Sequence, residues 1–253
     1  MKVLVLGGTT EGRLLATALA SIPSFAVVSS LAGRVRSPLP LPGAVRVGGF
    51  GGVPGLRDYL TSSGIEAVVD ATHPFAAGMS AHAVSACALA GVPLLALRRP
   101  AWSPVPGDRW IRVPSLPSAA SCVESFARVF LTTGRQSLEL FAAGPSWFLV
   151  RTVDPPAGPC PARMEVVLDR GPFTLEGELA LLRSHAIDVL VTKNSGGAAP
   201  KLAAARALDL PVIMVDRPAV DASVPAVATV DEALAWLDAA SSPASPAVRR
   251  REV

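Results

Sequence analysis

Residues 7–12, Gly7-Gly8-Thr9-Thr10-Glu11-Gly12, carry the strongest chemical signal in the 253-residue chain. They follow a short apolar, β-branched run, Lys2–Leu6, and precede helical spacing through Leu14, Leu15, Ala18 and Leu19. That order predicts a strand, a glycine turn and a helix. Glycines let a backbone come close to a diphosphate, and the amides of a helix N-terminus attract its charge. Thr9 and Thr10 add hydroxyl donors. The spacing departs from G-x-G-x-x-G, so position at the first strand–helix turn weighs more than the string itself.

The end of the second expected strand discriminates between cofactors. A site for NAD usually has an acid about 20 residues after the glycine turn, to hold the ribose hydroxyls. Here the chain reads Ser29-Ser30-Leu31-Ala32-Gly33-Arg34-Val35-Arg36, with no carboxylate. The hydroxyl pair Ser29 and Ser30, with Arg34 or Arg36, suits a 2′-phosphate that an acid would repel. NADPH is therefore the expected cofactor.

Two more clusters sit where strands should end. In Asp70-Ala71-Thr72-His73-Pro74-Phe75-Ala76, Pro74 disfavours helical geometry at His73. The imidazole is placed on a turn at a strand's C-terminal edge, with Thr72 beside it. Thr192-Lys193-Asn194-Ser195-Gly196-Gly197 combines a cation, an amide, a hydroxyl and two permissive glycines, and Lys201 opens the next expected helix. Backbone amides there suit a carboxylate or phosphate. Thr132-Thr133-Gly134-Arg135 is a less specific loop of the same kind. A G-x-S-x-G elbow, a P-loop, an H-E-x-x-H pair and a paired-carboxylate arrangement are all missing. Three His and three scattered Cys argue against a catalytic metal.

The elements that must position these clusters alternate. Strands are expected at 2–6, 25–30, 67–70 and 93–97, with helices at 10–20, 56–63 and 80–90; residues 43–55 read as mostly loop. A Pro-rich stretch over 99–118 reads as a crossing. Strands then follow at 128–132, 147–153, 188–192 and 212–215, with helices at 137–143, 175–184, 200–207 and 231–239. Residues 65–72 echo 187–194 in order, and Pro93–Pro100 echoes Pro211–Pro218, both ending in Arg-Pro. The expected fold is α/β: two Rossmann-like parallel-sheet domains facing a central cleft. The expected division is an N-terminal cofactor domain at 1–100, a crossing segment at 101–125, a C-terminal domain at 126–240 and a disordered tail at 241–253. Ligands of such sheets bind beyond the strands' C-terminal ends.

Composition narrows the partners. The net charge is +3, and Arg249, Arg250 and Arg251, set against Glu252, supply most of it. Without a basic stripe carrying interleaved aromatics, nucleic acid is not expected. No run of 18 apolar residues exists, so no membrane span is expected. Odd, separated cysteines suit a reducing cytoplasm, and a monomer is expected.

Taken together, GGTTEGR at 7–13, DATHPFA at 70–76 and TKNSGG at 192–197 with Lys201 resemble the precorrin-6A reductases, in order and spacing over residues 1–240. The resemblance implies NADPH-dependent reduction of one double bond of precorrin-6A to precorrin-6B, in cobalamin biosynthesis. It implies that Gly8 to Gly12 contact the pyrophosphate, that Ser30 and Arg34 lie near the adenosine phosphate, and that His73 lies near the nicotinamide. Arg13, Lys193 to Gly197 and Lys201 would face the macrocycle and its carboxylates. No residue presents itself as the proton donor. The competing reading is a non-catalytic NADP sensor, which leaves the second cationic, glycine-rich loop unexplained. A small-carbonyl reductase is disfavoured, because the single tyrosine, Tyr59, lacks Y-x-x-x-K spacing.

Overall fold

Two six-stranded parallel sheets, each with helices packed on it, make up the computed structural model, which describes residues 1–33, 39–219 and 221–241. The chain divides into two compact units. The first comprises Met1–Arg99 together with the segment from Ala219 onward, and the second is Pro100–Pro218.

In the first unit the chain forms β1 (Lys2–Leu6), α1 (Thr10–Ala20), β2 (Ala26–Leu31), β3 (Ala44–Val47), α2 (Gly52–Ser62), β4 (Ala67–Asp70), α3 (Ala77–Ala90) and β5 (Leu94–Leu97). The central strands β1 and β4 are apolar without alternation, as a strand covered on both faces must be. Val3, Val5, Ala67, Val69, Leu95 and Leu97 face one core with Leu15 and Leu19 of α1. Leu4, Leu6 and Val68 face the other, with Leu56, Leu60, Ala83 and Ala86 of α2 and α3. Leu15 and Leu19 are fully buried, and each such side chain contributes about 2 kcal/mol over an exposed one.

The second unit contains β6 (Arg109–Val113), α4 (Leu116–Cys122), β7 (Arg128–Leu131), β8 (Trp147–Thr152), β9 (Met164–Leu168), α5 (Leu175–Ser184), β10 (Val189–Lys193), α6 (Pro200–Ala207) and β11 (Pro211–Val215). Phe130, Leu149, Leu190, Val212 and Met214 pack against Leu182 of α5 and Leu202, Ala204 and Ala205 of α6. The chain then returns to the first unit as β12 (Ala226–Val227) and α7 (Val230–Ser241). There β12 pairs with β5, and Ala233 and Leu237 of α7 join the α1 core.

The two strand orders match position by position. The first sheet runs β12-β5-β4-β1-β2-β3 and the second β6-β11-β10-β7-β8-β9. Both follow the doubly wound pattern, with the reversal between β4 and β1 in the first sheet and between β10 and β7 in the second. The second sheet is one unbroken run of the chain, β6 to β11, whereas the first takes its sixth strand, β12, from beyond that run. β6 follows β5 in the chain but joins the second sheet, and β12 follows β11 but joins the first.

Five departures from the sequence expectations appear. The 126–240 domain loses its end, because 226–241 completes the first sheet and its α1 core. The 101–125 crossing holds β6 and α4, part of the second sheet's unit; β6 is a largely exposed edge strand whose RWIRV sequence shows no apolar face. Within the expected loop 43–55, β3 forms another edge strand, hydrogen-bonded on one side only and mostly exposed. β9, at the far edge of the second sheet, was also not anticipated. The expected helix at 137–143 is a 3-10 helix spanning Arg135–Phe141. Residues 242–253, most of the expected tail, lie outside the described residues, as does Arg34. Among the described residues, no helix is long and apolar enough to cross a membrane.

Candidate functional site

The glycine turn has the backbone that a diphosphate cradle requires. Gly8 takes φ +123°, a region that favours glycine, and nothing lies within 4 Å of where its Cβ would stand. Thr9, extended at φ −117° and ψ 167°, caps α1: its Oγ1 accepts from the Gly12 amide at 3.1 Å. The same hydroxyl donates to the Ala71 carbonyl at 2.8 Å, so it fixes the turn against the end of β4. A Cβ on Gly12 would stand 3.1 Å from the Ala71 Cβ; glycine here lets the helix approach the sheet. Gly8 and Thr10 are exposed, and Gly7 and Arg13 half-buried. Glu11 pairs with Arg99, whose Nη1 lies 3.3 and 3.4 Å from its two carboxylate oxygens.

At the end of β2 the expected phosphate ligands are less accessible. Ser29 is 1% and Ser30 6% exposed, and the Ser29 hydroxyl has no hydrogen-bond partner. The Ser30 carbonyl accepts from the Gly7 amide at 2.9 Å, so this residue ties β2 to the glycine turn through its backbone.

At the end of β4, a buried carboxylate organises the loop that follows. One oxygen of Asp70 accepts from the Thr72 amide at 3.1 Å and the Thr72 hydroxyl at 2.6 Å. The other accepts from Ser80 Oγ at 2.6 Å and Arg98 Nη2 at 2.9 Å. Thr72, 7% exposed, is held in place by that carboxylate. His73 stays half-buried, and its Nδ1 accepts from the Phe75 amide at 3.2 Å. That bond places the neutral ring's proton on Nε2.

In the second unit the loop after β10 is built around Trp102. The Asn194 amide bonds the Trp102 backbone both ways, accepting from its N–H at 2.8 Å and donating to its carbonyl at 3.0 Å. The indole Nε1 donates to the Gly197 carbonyl at 2.6 Å. Gly196 and Gly197 both have positive φ, 73° and 79°, which lets the chain turn back within two residues. Ser195 bonds the Lys193 carbonyl through its amide and hydroxyl, at 2.7 and 3.1 Å. Arg217 Nε donates to the Asn194 carbonyl at 2.8 Å. Lys201 Nζ donates to Thr132 Oγ1 at 3.0 Å and lies 5.6 Å from the Trp102 ring centroid. Lys193 is half-buried, and desolvation holds its ammonium pKa below the usual lysine value.

Within the first unit the structure thus gathers the glycine turn and the Thr72–His73 loop at one sheet edge; within the second it gathers Lys193 to Gly197 with Lys201. The side chains of Asn194 and Thr72 make hydrogen bonds that hold these loops. Sequence reasoning missed Arg98, Arg99, Trp102 and Arg217. A signal for two of them existed: the repeated Arg-Pro that closes each echo is Arg99-Pro100 and Arg217-Pro218. Trp102 lay in a stretch read as a crossing.

The family described as precorrin-6x reductase CbiJ/CobK matches residues 2–238. A precorrin-6A reductase of Rhodococcus erythropolis is 49% identical over 243 residues, covering 93% of this chain and 97% of the relative. One of Rhodobacter capsulatus is 51% identical over 241 residues, covering 93% and 95%. A solved structure described as CobK precorrin-6A reductase superposes with a TM-score of 0.90 at 50% identity, covering 96% of this chain and 98% of that one.

Proposed function

This chain belongs to the precorrin-6x reductase CbiJ/CobK family and is a reductase of cobalamin biosynthesis; from that premise we propose that it uses NADPH to reduce precorrin-6A to precorrin-6B. The observation that carries the cofactor half is the turn at Gly7–Gly12, with its exposed Gly8 at φ +123° and its capped helix start. The residues present there fit a dinucleotide diphosphate. The membership leaves no place for the non-catalytic sensor.

When bound, the reduced nicotinamide supplies the hydride; the remaining work belongs to this chain's residues. The amides from Gly8 to Gly12 bind the diphosphate at the dipole's positive end. The absence of an acid at the end of β2 favours the 2′-phosphorylated cofactor. His73, its Nδ1 engaged by the Phe75 amide, offers an Nε2–H donor at the same sheet edge as the glycine turn. Arg13, Lys193 and Lys201 are the cations assigned to the macrocycle's carboxylates, with Ser195 and the Gly196–Gly197 backbone. Each charge-assisted contact of this kind is worth about 1.5–3 kcal/mol when partly desolvated.

The test is direct. Purified protein with precorrin-6A should consume NADPH, seen as loss of the reduced nicotinamide's absorbance, and should consume NADH much more slowly. Equal rates with both cofactors would remove the 2′-phosphate reading, and no consumption with either would remove the reaction.

A further inference from the structure

Glu11 is out of place at a diphosphate turn. A carboxylate in the first turn of a helix is favoured by the helix dipole. A diphosphate seeks the same amides, however, and a carboxylate beside it repels it. The structure shows the counterweight. Arg99 follows β5, a strand separated from β1 by β4, and its Nη1 lies 3.3 Å from Glu11 Oε1 and 3.4 Å from Oε2. The side chains are 23% and 21% exposed, so water screens the pair only in part. Neighbouring Arg98 reaches Asp70, which ends β4 just before the loop that bears His73. Two consecutive arginines thus brace the two loops of one sheet edge.

We propose that Arg99 is the charge-balancing residue of the dinucleotide site. It cancels Glu11 and thereby sets the affinity of the glycine turn for a diphosphate. The proposal rests on the placement of the nicotinamide dinucleotide at that turn. A carboxylate left uncompensated a few ångströms from a diphosphate weakens binding by about one to two powers of ten. The pair also ties the first turn of α1 to the end of β5, so the amides keep their direction before a ligand arrives.

The experiment is equilibrium binding of NADP+ to the full chain in the parent, Arg99→Ala, Arg99→Lys, Glu11→Ala, the Glu11→Ala/Arg99→Ala double variant and Gly8→Ala. Arg99→Ala should weaken binding about ten- to a hundredfold. The double variant should recover most of that loss, and Arg99→Lys should keep most of the parent affinity. Unchanged affinity in Arg99→Ala, or a loss that the double variant does not recover, overturns the proposal. Should Arg99→Ala fail to fold, Glu11→Ala decides: tighter binding than the parent supports the charge balance, and equal or weaker binding overturns it. Gly8→Ala separates the two levels. If it leaves affinity unchanged, the dinucleotide is not at this turn and the underlying reading falls. If it weakens binding while the Arg99 series stays flat, only the charge-balance proposal falls.

Discussion

The loops after β4 and β10 occupy equivalent places in two sheets of matching strand order, yet different chemistry holds them. After β4 the lock is ionic and buried: Asp70 is 4% exposed and joins Thr72, Ser80 and Arg98. After β10 the lock is neutral: the Asn194 amide closes on the Trp102 backbone and the Trp102 indole closes on Gly197. The chemistry around each loop accounts for the difference. The first loop sits beside a turn read as binding an anion, and Arg98 keeps the nearby carboxylate from adding net negative charge. The second loop presents Lys193 and has Lys201 beside it; an amide shapes it without neutralising either cation.

The largest test of this contrast removes the ionic lock. Asp70→Ala leaves the Arg98 guanidinium, 14% exposed, without its carboxylate, and should cost about 3–5 kcal/mol in urea unfolding. A loss below about 1 kcal/mol would mean that the network does not hold the loop. Asn194→Ala should cost less, about 2 kcal/mol, because two Trp102 backbone groups lose neutral bonds. It should also raise KM for the macrocycle with little change in NADP+ affinity, and equal changes in both would end the division of labour between the loops. Trp102→Phe keeps the Asn194 bonds and removes one indole bond, so about 1 kcal/mol is expected in the same unfolding measurement. Loss of the whole Asn194 effect would show instead that the indole dominates.

The smallest effect concerns Lys193. Its folded pKa lies below the ordinary lysine value because of desolvation. Between the folded and unfolded values the unfolded chain therefore binds more protons, and the parent's stability rises with pH through that window. Lys193→Met should flatten the rise, and at neutral pH it should unfold no more easily than the parent. A variant that keeps the same slope in pH-dependent denaturation would place the titration elsewhere.

Much of this was legible in the chain itself. The unbroken apolar runs of β1, β4, β7 and β10 announce strands covered on both faces, and the glycines at 7, 8 and 12 announce the turn that α1 needs. The echo of 65–72 in 187–194 locates β4 and β10, which the two sheets place alike. The edge strands β3, β6, β9 and β12 were not legible, because a strand covered little and paired on one side needs no apolar pattern.

Local sequence determined which turns form, since φ preference, helix capping and apolar periodicity act over a few residues. Only the tertiary structure decided which sheet receives β6 and β12, and which arginine meets which acid. Arg99 and Glu11, like Trp102 and Asn194, lie about ninety residues apart. Partners so distant carry no spacing rule; sheet order alone brings them within hydrogen-bonding reach.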